Sequence, residues 1–132
     1  MILLSARAGP EASVEGLEVG ADGRPGFHRY HSDELVTDLR CAQLPAGMLD
    51  DLPIDGARVG DQLHVVLDDD GARHVVASGG ERRPRVLAGE YAAVQRVGDR
   101  RWTLPVTAFW QSHRDAAGVY SELVTDWAAI EP

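Results

Sequence analysis

The residues best suited to chemistry are few and scattered. His28-Arg29-Tyr30-His31, followed by Asp33 and Glu34, is the densest polar cluster. On a helical turn the two histidines would converge; on a strand they would point to opposite faces. A metal centre also needs a further ligand at a fixed spacing. None follows, so no metal is expected. His113 stands among apolar and aromatic residues, with Asp115 and Tyr120 downstream. Histidine titrates near neutrality, which suits a cleft-lining acid or base. His28, His31 and His113 are therefore the catalytic candidates. Asp68-Asp69-Asp70-Gly71 lacks the remaining spaced ligands of a calcium loop and reads as a hairpin tip. Cys41 is the sole cysteine, which rules out an intrachain disulfide and a cysteine cluster. No Gly-x-Ser-x-Gly elbow or phosphate loop is present, and no cofactor is expected.

The elements that must position these groups are best marked at the C-terminal end. Trp102, Trp110 and Trp127 all lie there, and Phe109, His113, Ala116, Tyr120, Leu123, Trp127 and Ile130 recur at helical spacing. One long amphipathic helix, about 107–129, is expected, its apolar stripe laid on a sheet. Gln62 to Ser78 reads as a hairpin. A two-residue turn at Asp70-Gly71 would set Asp68 opposite Arg73 and Leu67 opposite His74. Residues 90–106 read as a second hairpin with a type II′ turn at Gly98-Asp99, pairing Arg96 with Arg101 and Gln95 with Trp102. Strands are also expected at 2–5, 13–19 and 85–88. Residues 33–44 fit a helix starting at Asp33 and a strand equally, and the helix is preferred. The expectation is one globular domain over 1–132, of α+β class, with about five antiparallel strands packed against the C-terminal helix.

Composition narrows the partners. A formal charge of −8 argues against nucleic acid and against anionic membrane surfaces. No window approaches the ~18 apolar residues of a membrane span, and the first residues lack the charged start of a signal peptide. A cytoplasmic protein is expected. All its non-histidine bases are arginine, as in a GC-rich bacterial genome. Arg96 and Arg101 would repel across the second hairpin unless acidic groups or an anionic ligand separate them.

Two short stretches resemble known families. Residues 27–47 (FHRYHSDELVTDLRCAQLPAG) are similar to the opening of one class of ADP-ribosyltransferases, which would put a strand histidine on a nicotinamide ribose. Residues 87–99 (LAGEYAAVQRVGD) resemble a strand and turn of GyrI-like effector-binding domains. Each covers a small part of the chain, and no function is carried over from either.

With no catalytic signature and an acidic balance, the first functional expectation is a non-enzymatic binding module. It would recognise a protein partner or a small-molecule ligand, as an immunity or antitoxin-like protein or an assembly component does. A homodimer is compatible with this. The alternative is a small cofactor-free enzyme, a cyclase, isomerase or transferase. Its pocket would lie between sheet and helix and be lined by Tyr91, Trp102, Trp110, Tyr120 and Trp127.

Overall fold

The computed structural model describes residues 13–42, 44–110 and 113–128. The strand expected at 2–5 lies outside them. Eight strands precede one helix: β1 (Ser13–Val19), β2 (Pro25–His28), β3 (Leu35–Val36), β4 (Gln62–Leu67), β5 (Arg73–Ser78), β6 (Arg85–Ala88), β7 (Ala92–Val97), β8 (Arg100–Pro105) and α1 (Ala116–Ala128). Six form an antiparallel sheet in the order β3-β2-β1-β4-β5-β6, and β7 with β8 forms a separate two-stranded sheet. The class is α+β, as expected, but the two hairpins do not share one sheet.

The first hairpin is shifted by one residue from expectation. Leu67 pairs with Arg73 and Val66 with His74. The loop is three residues long, because the Asp68 N–H donates to the Ala72 carbonyl and the Gly71 N–H to the Asp68 carbonyl. Gly71 sits at φ 82°, the left-handed position that closes such a loop. Leu63, Val65, Val75 and Ala77 then share one face and are fully buried. In β1 a bulge between Val14 and Leu17, with Gly16 at φ 87°, turns both side chains inward, so the strand does not alternate simply. The second hairpin has the expected register, with Arg96 opposite Arg101, Gln95 opposite Trp102, and Gly98 at φ 60°.

The helix preferred at 33–44 does not form. The Ser32 hydroxyl accepts the Glu34 N–H, and the Arg29 N–H bonds the Glu34 carbonyl. These local bonds close a turn instead of starting a helix. Leu35 and Val36 then pair with His28 and Phe27. The irregular stretch that follows covers the core face of the sheet. Met48 and Leu49 are buried against Leu17, Leu63 and Val75, with Leu39, Leu44, Leu52 and Ile54 half-buried around them. Arg73 holds this stretch from below by donating to the carbonyls of Gly47, Met48 and Asp50, at 2.6 Å for Asp50. The opposite face is covered by the second hairpin, through Val66 and Val76 against Ala93 and Val106. Both faces of the β4–β5 hairpin are thus covered.

α1 is shorter than the expected 107–129 and does not lie over the sheet. Ala116 is its one buried residue. Val119, Tyr120, Leu123 and Val124 are exposed, and Trp127 is 81% exposed. The periodicity marks an apolar face correctly, but the loop at 39–57 already occupies the position that face was expected to fill.

Candidate functional site

The most tightly built polar group lies where the two sheets meet. Asp68 and His74, both buried, face each other at the end of the first hairpin, with His74 Nε2 3.0 Å from Asp68 Oδ2. The Val94 N–H, from β7, donates to the same oxygen at 3.2 Å, and the N–H groups of Asp70 and Ala72 donate to Oδ1. His74 Nδ1 accepts the Glu90 N–H at 2.9 Å. That bond assigns the ring proton to Nε2, so a neutral imidazole donates to a carboxylate. Burial alone would push the Asp68 carboxyl up; the hydrogen bonds from His74, Ala72 and Val94 outweigh it and hold it below the usual carboxylate range. An aspartate–histidine pair resembles the orienting half of a catalytic triad. Here both ring nitrogens are occupied and the pair is shut from solvent, so no nitrogen is left to take a substrate proton. The pair joins the two sheets. Gly89, at φ 68°, is required beside it, because a Cβ there would collide with the His74 ring and the Arg73 carbonyl.

A second buried carboxylate, Asp61, accepts Arg82 at 2.9 Å, Arg85 at 2.5 Å and the Arg58 N–H at 2.8 Å. Burial raises its carboxyl, but these donors hold it below its ordinary value. Arg82 and Arg85 are therefore committed within the molecule. So is Arg96, whose guanidinium lies 2.6 Å from Asp70, with Arg101 at 3.8 Å from the same carboxylate. The repulsion expected between Arg96 and Arg101 is relieved from inside, by the tip of the first hairpin. Sequence reasoning passed over Asp61, Asp68 and His74 as turn and strand residues. The available signal was an aspartate and a histidine bracketing a hairpin loop.

The predicted catalytic histidines occupy three separate settings. His28, on β2, is 2.9 Å from Glu18, which also accepts from Gln62 at 3.0 Å. Its hydrogen bond to Glu18 raises its pKa above the ordinary value. His31 is exposed in the turn after β2, at φ 52°, with its ring against Tyr30. His113 precedes α1 and accepts the Asp115 N–H at 3.2 Å. The predicted pocket aromatics are dispersed too. Tyr91 is exposed and bonds Thr107 through its hydroxyl at 2.9 Å. Trp102 is exposed on β8, Trp110 is half-buried beyond it, and Tyr120 and Trp127 project from α1. An open cavity of about 360 Å³ lies elsewhere, between Leu39 and Asp50, and none of these aromatics lines it. Among the described residues no cluster of three metal-ligating side chains occurs, and no helix is long and apolar enough to cross a membrane.

The chain is similar to three corynebacterial proteins. One from Corynebacterium glutamicum, named as an uncharacterized RNA methyltransferase, is 40% identical over 120 residues, which cover 83% of this chain and 29% of that protein. One from Corynebacterium efficiens, with the same description, is 40% identical over 118 residues, covering 82% of this chain and 28% of the relative. A third, from Corynebacterium diphtheriae, is 37% identical over 123 residues. The chain spans less than a third of the length of the curated relatives it matches. No protein-family model and no solved structure matches it, so neither of the two local resemblances gains support.

These relatives overturn two expectations. Proteins named as methyltransferases are enzymes, which contradicts the non-enzymatic binding module and favours the transferase alternative. Proteins named for RNA also contradict the exclusion of nucleic acid. The net charge of −8 does not carry that exclusion, because it is a sum over the whole chain, whereas phosphate contact depends on local charge.

Proposed function

We propose that this chain works in methyl transfer to RNA, in the cytoplasm. The observation that supports the reading is the 40% identity over 120 residues to proteins named as RNA methyltransferases. The described residues contribute two antiparallel sheets and one helix. Their two buried carboxylates and His74 are fully engaged in joining elements. In the relatives, more than two thirds of the length lies outside the match, and the groups that carry out methyl transfer are proposed to reside there. The test is deletion of the gene, followed by mass spectrometry of the nucleosides from each RNA class. Loss of one methylated nucleoside, restored by the wild-type gene, is the expected result. An unchanged profile in every class overturns the reading.

A further inference from the structure

Resting on that reading, we propose that β8 is a contact surface for a single-stranded stretch of RNA, with Trp102 as a stacking platform and Arg100 and Arg101 as phosphate contacts. Arg100, Arg101, Trp102 and Thr103 are all exposed, and Trp102 leaves 46% of its surface in water although its partner Gln95 is buried. β7 (AAVQRV) and β8 (RRWTLP) carry three guanidinium groups and no carboxylate, in a chain with a surplus of acids. Arg100 and Trp102, two residues apart, share one face of the strand, while Arg101 lies on the other beside Arg96. Among the described residues β8 pairs only with β7, so a strand of RNA laid along its outer edge reaches side chains of both faces.

The arginines are also prepared for phosphate. Asp70 lies 2.6 Å from Arg96 and 3.8 Å from Arg101, and Asp69 accepts the Arg96 N–H, so the acidic tip of the first hairpin is engaged mainly by Arg96. A guanidinium has five N–H donors, and a single shared carboxylate leaves several of them unused. Arg101 is thereby positioned but only loosely paired, and it is the member of the pair left to meet a phosphate. An exposed aromatic ring set among arginines is the combination that binds unpaired bases, through stacking and charge, with little dependence on sequence.

The test is fluorescence anisotropy with a labelled single-stranded oligoribonucleotide and the whole protein, titrated at several salt concentrations. Trp102→Ala is expected to weaken binding by roughly 10-fold or more, the usual loss of one stacked base. Arg100→Gln with Arg101→Gln is expected to lower the salt dependence by about 1.4 units of log affinity per log salt, near 0.7 for each single-strand phosphate contact. Arg100→Glu, at an exposed position that folding does not use, guards against misfolding of the Trp102 variant and is expected to weaken binding as well. Unchanged affinity in all three variants, or no binding by the wild-type protein at low salt, overturns the surface. A wild-type protein that binds peptides along this strand but no RNA overturns it too. The methyl-transfer reading is judged separately by the deletion experiment, so the two can fail independently.

Discussion

The six-stranded sheet and α1 place their apolar side chains in opposite ways. Leu17, Leu63, Val65, Val75 and Val76 are fully buried, between a loop on one face and a hairpin on the other. On α1, Val119, Tyr120, Leu123, Val124 and Trp127 form an equally regular apolar face that no described residue covers. The difference teaches that periodicity reports a face and its secondary structure, not its neighbour. The sheet's neighbour is the segment 39–57, whose described residues form no helix or strand. It is held in place by Arg73 on three carbonyls and by Arg85 on the Gly56 carbonyl.

That contrast can be broken from either side. Leu63→Ala is expected to cost about 4 kcal/mol in urea unfolding, since it opens a cavity in a fully enclosed core; a cost below about 1 kcal/mol would mean that the core is loosely packed. Asp68→Ala is expected to cost about 3 kcal/mol, because it strands His74 and several buried N–H groups. Met48→Ala should cost about 2–3 kcal/mol if the loop truly covers the sheet, and a negligible change would remove the loop from the core. Trp127→Ala is expected to stay within about 0.5 kcal/mol, and a larger loss would show that the α1 face is covered after all.

Acid sharpens the same picture. The carboxyls of Asp61 and Asp68 are depressed in the folded state. Their stabilisation is complete above the unfolded value of about 3.9 and disappears as pH falls below it through the folded values. Urea midpoints are therefore expected to drop steeply below about pH 4. The drop should be shallower in Asp68→Asn, whose side chain does not titrate.

Much of the fold was legible because it rests on short-range rules. The II′ turn at Gly98-Asp99 fixes the second hairpin, and Gly89 ends β6. The first hairpin went wrong by one residue because Asp-Asp-Asp-Gly suits a two-residue turn and a three-residue loop equally well. The helix preferred at 33–44 lost to Ser32 just before it, whose hydroxyl accepts the Glu34 N–H and closes a turn instead. Asp61, Asp68 and His74 were hidden for a different reason. Their partners (Arg82 and Arg85, Val94, Glu90) are brought near by folding and leave no periodic trace. The candidate site was legible only in part. Trp102 was named only as a lining residue of a pocket between sheet and helix, Arg101 was read with Arg96 as a charge problem within the chain, and Arg100 was given no role.

The tip of the first hairpin has one more consequence, for the behaviour of the protein at high concentration. The outward N–H groups of Val94 and Arg96 end on the carboxylates of Asp68 and Asp69, and the Val94 carbonyl accepts the Asp69 N–H. Two acidic side chains and one amide stand where another strand's backbone would otherwise bind. Open strand edges invite the same edge of another molecule and lead to aggregation. The outer edge of β7 is closed to that route by charge that belongs to its own chain, so solubility there depends on a loop of three residues staying folded.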